Sequence, residues 1–182
     1  MMDKNEIYKI LDEVDSLSHL HPNDIPSLDL YIDQIMTLFD IHLADNKRHS
    51  HDKLLTKTMI NNYSKEGLIK PIKGKKYSKD HILQMILIYS LKNTISIQEI
   101  KKVIQPYHEQ TEKIEPLYTQ FLEIENEFTH QIKETSQQFI EQHNIQLDDR
   151  DQLTIALLIM CSLSNQYKMI AEKILDKYYL ND

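Results

Sequence analysis

The chain contains only two glycines in 182 residues, and this scarcity limits the folds that are open to it. Tight β-hairpins and small barrels depend on residues at positive φ, a conformation that glycine adopts without steric cost. Leucine, isoleucine, lysine, glutamate and glutamine are abundant instead, and most of them favour helix. We therefore predict a mainly α-helical protein.

The single cysteine and the apolar segments bear on the compartment. Cys161 has no second cysteine to pair with, and it lies in an apolar run where a free thiol normally packs as a small buried hydrophobe. Residues 1–13 lack the apolar core of a signal peptide. The longest apolar run, 155–161, is shorter than the roughly 20 residues that cross a bilayer. We expect a soluble, cytoplasmic protein that makes no membrane contact.

Apolar residues recur at intervals of three and four along most of the chain, which is typical of amphipathic helices. Capping residues mark several starts: Thr56, Ser78, and the pair Ser96 and Glu99. Gly67 is placed to end the helix that Thr56 begins. Helices are predicted at residues 3–17, 28–44, 56–66, 78–91, 96–104, 107–143 and 151–179, with the 78–91 helix apolar almost all round.

The order of elements between residues 28 and 104 predicts a winged helix-turn-helix. Pro71 and Gly74 bracket a turn between two short arms, which predicts a small β-hairpin wing after the short basic helix. A buried helix and a short capped helix follow. The predicted organisation is an N-terminal helix and connector (1–27), a winged helix-turn-helix (28–105) and a C-terminal helical hairpin (106–182).

Positive charge is concentrated where that fold would meet DNA. Residues 46–80 contain ten basic and three acidic residues, a net charge of +7, which leaves −14 for the rest of a chain whose total is −7. A basic patch on an acidic body suits a DNA-binding protein, because only the contact face has to be positive. A solvated basic loop would show the same composition.

Three blocks of this region resemble the MerR family of regulators. The segment TMINNYSKEGLIKP resembles the family's second helix, with Tyr63, Gly67, Leu68, Ile69 and Pro71 in matching places; KKYSKDHILQMILI and ISIQEIKKVI resemble the blocks that follow. The family's usual arginine beside the tyrosine is missing, and so are its metal-binding cysteines. Residues 25–180 are also similar to an uncharacterised family of low-GC bacterial proteins, known as a domain of unknown function with a helix-turn-helix of this type. These resemblances imply a DNA-binding fold.

We assign two roles to the polar residues of this region, with double-stranded DNA as the partner. Base contacts are expected from the short helix, since asparagine pairs with adenine through two hydrogen bonds; the residues are Lys57, Thr58, Asn61 and Asn62. Phosphate contacts are expected from the following residues: Tyr63, Lys65, Lys70, Lys73, Lys75 and Lys76. Tyr63 has an equally good alternative role as a core residue.

The remaining features favour a regulator over an enzyme. No motif of a phosphate-binding loop, nucleophile elbow or zinc protease is found, so no catalytic, cofactor or metal residue is assigned. The pairs His19 and His21, and His49 and His51, lie in predicted loops and lack further ligands. The heptad-like spacing within 107–143 favours a homodimer through residues 107–180.

Two alternatives remain open. The same fold would serve a protein-interaction module, such as an adaptor or anti-repressor. A ligand-gated regulator would place a pocket near Met160, Cys161, Tyr167 and Met169, although apolar residues of this kind more often form core.

Overall fold

A computed structural model of the chain describes residues 4–72, 74–146 and 148–180, and it confirms a mainly helical fold with one small sheet. The elements are α1 (Lys4–Asp15), β1 (Leu30–Tyr31), α2 (Ile32–His42), α3 (Lys57–Lys65), β2 (Lys76–Tyr77), α4 (Lys79–Leu91), α5 (Ile97–Ile104), α6 (Ile114–Gln142) and α7 (Arg150–Tyr178). The chain forms two compact units, which we call unit 1 (residues 1–17 and 123–174) and unit 2 (residues 18–122 and 175–182).

Helix α4 is the centre of unit 2. Its residues from His81 to Ile86 are all buried, as the predicted all-round apolar pattern requires. Side chains from the surrounding helices complete this core: Ile35 and Phe39 of α2, Ile60 and Tyr63 of α3, Ile100 and Ile104 of α5, and Ile114, Tyr118 and Leu122 of α6. The elements that surround α4 therefore keep their polar faces toward solvent.

The predicted β-hairpin wing is wrong. Within the described part of residues 68–78 there is one strand, β2, and it pairs antiparallel with β1, with Leu30 opposite Tyr77 and Tyr31 opposite Lys76. Gly74 does adopt the positive φ of 76° that a turn needs. Pro71 lacks a backbone N–H that could donate within a hairpin, and the arm before it is anchored elsewhere. The arm after the turn therefore pairs with a strand that is distant in the sequence. The helix predicted to start at residue 28 therefore begins only at Ile32, after a bend at residue 28 and the strand β1.

The connector before α2 is part of the core of unit 2. Leu20 is fully buried, and its carbonyl oxygen accepts a hydrogen bond of 3.1 Å from the Tyr118 hydroxyl. The Asn46 side chain holds the backbone of Ser18 through two hydrogen bonds of 2.8 and 3.0 Å. The boundaries of the two units thus differ from those of the three predicted segments. Leu20 and Tyr118, which the prediction assigned to separate segments, both pack in the core of unit 2 around α4.

Unit 1 combines α1 with the second part of α6 and most of α7. Leu11, Ile140, Ile145 and Ala156 form its small core, so the two long helices pack together beside the turn that connects them. The Lys133 ammonium lies 2.9 Å from an Asp12 oxygen and 3.0 Å from an Asp15 oxygen, which ties α1 to α6. This arrangement confirms the predicted helices near both chain ends.

Beyond this small core, α7 is exposed from Cys161 to Ala171. Cys161 is exposed, so the expectation that it is buried is wrong. The small core of unit 1 does not extend along α7 as far as this residue. By length and composition alone, α7 is long and apolar enough to cross a membrane, and 6% of its most apolar stretch is buried inside the structure. Core helices of other proteins meet these criteria too, and they are mostly buried.

The cap of α3 gives a test of the fold around it. The Thr56 hydroxyl oxygen accepts a hydrogen bond of 3.2 Å from the Met59 backbone N–H. We expect Thr56→Ala to lower the free energy of unfolding by about 1 kcal/mol, because a helix N-terminal donor loses its partner. Urea denaturation measures this change. The matched control is Thr58→Ala on the exposed face of the same helix, and an equal loss there would contradict the capping role.

Candidate nucleic-acid interface

The exposed face of α3 gathers the residues predicted to read bases. Ile60 and Tyr63 are buried against the core, and Met59 and Ser64 are half-buried. At 100° per residue, the exposed positions fall on one side of the helix; they are Lys57, Thr58, Asn61, Asn62 and Lys65. This face carries two positive charges, three neutral polar groups and no carboxylate.

Local interactions fix the two ends of this helix. Thr56 caps the start, and Gly67 ends the helix with a φ of 68°, a conformation that favours glycine. The Leu68 backbone N–H then donates a hydrogen bond of 2.8 Å to the Tyr63 carbonyl, which closes the last turn. Both ends are as the sequence predicts, so the face has a defined length and orientation.

Two acidic groups border the face: Asp33 near its start, and Glu66, which is exposed at the C-terminal end of α3. The Lys57 ammonium lies 3.7 Å from an Asp33 carboxylate oxygen at the start of α2, and both side chains are mostly exposed. Exposed pairs of this kind contribute little to stability. Lys57 can therefore leave Asp33 for a phosphate at small cost, although Asp33 remains a repulsive neighbour for an anion.

The structure gives the predicted phosphate residues different environments. Lys70 is paired with the Asp80 carboxylate and its side chain is 20% exposed, so it acts as an anchor between α4 and the segment before it. Lys75 is exposed. Lys76 is exposed as well, with its ammonium 5.0 Å from the ring centre of Tyr31. Lys73 lies outside the described residues.

Tyr63 packs in the core. Its side chain is 5% exposed, and burial raises its pKa above the ordinary value for tyrosine. A phosphate contact would require its hydroxyl to reach the surface. The structure therefore favours the core role of Tyr63 over the phosphate role.

Two buried polar residues of α4 support the segment that follows α3, and the sequence analysis assigned them no role. The Gln84 side-chain oxygen accepts a hydrogen bond of 2.9 Å from the Lys70 backbone N–H, and its amide nitrogen lies 3.5 Å from the Tyr107 carbonyl oxygen. The His81 Nδ1 accepts a hydrogen bond of 3.1 Å from the Ser78 backbone N–H. The signal was present in the sequence, since these are polar residues inside an apolar helix.

A cleft of about 740 Å³ lies beside α3, with both polar and apolar side chains in its walls. Asn62 and Lys65 line it from α3, and Lys92, Asn93 and Gln98 line it from the turn between α4 and α5 and the first turn of α5. The Lys92 ammonium donates a hydrogen bond of 3.1 Å to the Leu54 carbonyl and has its pKa lowered by burial. The sequence analysis missed Asn93 and Gln98, because only the fold brings them beside α3.

The histidines considered for a metal form a pair without further ligands among the described residues. His49 and His51 stack with ring centres 5.5 Å apart. Across the described ranges, no group of three or more histidine, cysteine, aspartate or glutamate side chains is arranged to hold a metal ion. The residues considered for a ligand pocket, including Cys161, Tyr167 and Met169, are exposed on α7.

The chain belongs to a family described as a domain of unknown function, DUF1836, whose model matches residues 20–128. No curated protein and no solved structure matches the chain. The matched segment contains all of α2 to α5 and thus every residue of the candidate interface.

Buried His81 makes the stability of unit 2 dependent on pH. Burial, and then the charge of Lys70, lower the pKa of His81 below its ordinary value. The unfolded chain therefore binds a proton before the folded one does, and stability is lost as the pH falls through about 6.5. We expect His81→Gln, which keeps a side-chain acceptor, to reduce this acid-induced loss.

Urea denaturation at several pH values measures the loss for both proteins. The two proteins differ at this one residue, so the difference between the two curves isolates His81. Parallel curves for wild type and variant would contradict a neutral buried histidine.

Proposed function

We propose that this DUF1836 protein is a sequence-specific DNA-binding regulator that reads DNA through the exposed face of α3. The single observation that carries the proposal is the composition of that face: Lys57, Thr58, Asn61, Asn62 and Lys65 point outward together, without an acidic residue among them. We also propose that it acts in the cytoplasm and as a homodimer.

The size and position of α3 suit the major groove. An α-helix with its side chains is about 10–12 Å across, and the major groove of B-form DNA is about 12 Å wide, so the groove admits a helix such as α3. In this proposal α2 and α3 form a helix-turn-helix with a long connection, 43–56, and the segment 66–78 takes the place of a wing. The wing is built differently from a hairpin, because β2 pairs with β1.

The chemistry of the face fits recognition of adenine. An asparagine side chain accepts from adenine N6 and donates to N7 at once, which discriminates against other bases by about 1–3 kcal/mol. Asn61 and Asn62 are both exposed. Asn62 also borders the cleft with Asn93 and Lys65, so the polar surface extends from the helix to the turn between α4 and α5.

Exposed lysines supply the attraction to phosphates. Lys65 and Lys75 are exposed, and Lys57 is held only by a weak surface pair. Lys70 contributes indirectly, because its pairing with Asp80 and the bond from its backbone to Gln84 fix the segment that carries Lys75. Lysines at the edges of a reading helix position it on the duplex without reading sequence.

A second candidate function is a protein-interaction module, and one observation favours it. Of the nine basic residues in 46–80 that the structure describes, four are paired with carboxylates of the chain: Lys47, Lys57, Lys70 and Lys79. A surface neutralised in this way attracts the phosphates of DNA less strongly, which favours a protein partner. Selection from a random pool of duplex DNA at about 150 mM salt separates the two, because charge-only binding is weak there. An enriched motif supports the regulator, and no enrichment supports the interaction module.

The asparagines give a test of base reading. We expect Asn61→Ala and Asn62→Ala each to relax the preferred sequence at one or two adjacent positions, since a bidentate contact is lost. The measurement is the same selection repeated with each variant. Asn126→Ala, an exposed asparagine on α6, is the control. Unchanged motifs for both α3 variants would exclude these residues from base contact.

The lysines give a test of phosphate contact. We expect Lys65→Ala combined with Lys75→Ala to reduce the slope of log K against log salt by about two units, one for each lost contact. Titrations of an enriched duplex across a range of salt measure the slope. The control is Lys9→Ala on α1 in unit 1, which is also exposed and should leave the slope as it is. A slope that the double variant shares with wild type would rule out both contacts.

A further inference from the structure

Helix α7 carries an apolar seam of which only the first part is covered. Apolar residues recur at alternating intervals of three and four, which is the spacing of a coiled-coil contact: Leu153, Ala156, Met160, Leu163, Tyr167, Ile170 and Ile174. Leu153 and Ala156 pack in the small core of unit 1. From Leu163 onward the seam is exposed, with exposed fractions of 48% for Leu163, 67% for Tyr167, 54% for Ile170 and 49% for Ile174.

We propose that this exposed half of the seam, from Leu163 to Ile174, is the surface through which the chain pairs with a second copy of itself. An apolar stripe of this length is rarely left open to water on a protein that acts alone. The inference rests on the homodimer of the proposed function and names its surface, and the pairing can be measured without DNA.

The polar side of the same helix indicates that the seam binds a protein and that the helix does not lie inside a lipid bilayer. Opposite the seam lie Ser162, Asn165, Lys168, Glu172 and Asp176, and the Lys168 ammonium is 3.8 Å from a Glu172 oxygen. A membrane-spanning helix would expose these charged groups to hydrocarbon. The stretch without any charged residue, 152–167, is sixteen residues, or about 24 Å, which is shorter than the hydrocarbon core of about 30 Å.

Binding to a membrane surface is disfavoured by the charge of the helix. Residues 168–177 contain three lysines and two acidic residues, a net charge of +1, on a chain with a total charge of −7. Helices that lie on anionic lipid usually carry many lysines or arginines on the polar face. The seam therefore needs a helical partner on one side and water on the other.

Unit 1 itself supplies the complement. Helix α6 has a second exposed apolar stripe, in which Ile124, Phe128 and Ile132 have exposed fractions of 47%, 56% and 52%. Residues 123–142 of this helix contain five glutamates and one lysine, a net charge of −4, whereas residues 168–177 of α7 have a net charge of +1. Each copy thus offers one acidic and one weakly basic apolar stripe.

A two-fold axis lets each stripe meet its complement, because the same patch serves both copies in such an interface. We place the seam of α7 against α6 of the second copy, so that four helices form a bundle. The heptad spacing of α6 had indicated a dimer from the sequence. The exposed seam adds α7 to the proposed contact. The opposite charges beside the two stripes explain why α7 would pair with α6 of the second copy.

The test is the molar mass of the full chain in solution at micromolar concentration, measured by light scattering or sedimentation without DNA. Wild type is expected at twice the chain mass of 21.7 kDa. The double variant Tyr167→Glu and Ile170→Glu should have the mass of one chain, because charges replace the seam. The matched control, Ser162→Glu and Asn165→Glu, adds two charges to the polar side and should remain dimeric. Circular dichroism verifies that helix content is unchanged in both.

A charge exchange tests the choice of partner helix. Lys173 adjoins the seam on α7 and Glu127 adjoins the stripe on α6. Lys173→Glu should weaken the dimer several-fold, and adding Glu127→Lys in the same chain should restore it. Two results would overturn the pairing of α7 with α6. One is a Lys173→Glu variant that dimerises as strongly as wild type, and the other is a double variant in which Glu127→Lys does not restore the dimer.

Three results overturn the proposal as a whole. They are a single-chain mass for wild type, a dimer that survives the seam variant, and co-sedimentation of a monomeric wild type with vesicles of phosphatidylcholine and phosphatidylglycerol. A dimer that enriches no DNA motif would contradict the proposed function and leave this inference intact.

Discussion

Burial of α4 on all sides is the constraint on which the rest of unit 2 depends. A helix without a polar face has to be surrounded, and the buried residues of α2, α3, α5 and α6 surround it. Two polar groups buried in this helix, the His81 Nδ1 and the Gln84 side-chain oxygen, accept hydrogen bonds from neighbouring backbone. Through Gln84 the helix also sets the position of the backbone after α3, and so the outward face of α3 is a product of the core.

Electrostatics shape the candidate interface in a way that composition hides. The basic segment contains lysines that are already paired, such as Lys70 with Asp80, and lysines that are exposed, such as Lys65 and Lys75. The first kind stabilises the fold, and only the second kind is available to a phosphate. A net charge counted over a segment therefore overstates the attraction that its surface exerts on DNA.

Local signals in the sequence predicted most of the helices and failed where the partner is distant. The capped starts at Thr56, Ser78 and Ser96 were predicted, because a cap and its helix lie within a few residues of each other. The strand at Lys76 was expected to pair within a hairpin, yet the partner of Lys76 is Tyr31, which lies 45 positions earlier in the sequence. The exposed residues of α3 followed from helical periodicity. The pairing of Lys70, the burial of Tyr63 and the cleft with Asn93 depend on tertiary packing, which no local pattern encodes.

The connector of residues 18–27, in which Leu20, Pro22 and Ile25 are buried, has a consequence for how this protein can be divided. Leu20 fills the core of unit 2 and its carbonyl holds Tyr118, although the first lies before the predicted helix-turn-helix and the second after it. The family match begins at residue 20, where this packing starts. A fragment cut to residues 28–105 would lose both side chains, and each cavity of that kind costs several kcal/mol, on the order of 2–5. The smallest part that can be expected to fold must therefore keep the connector and the first turns of α6 together.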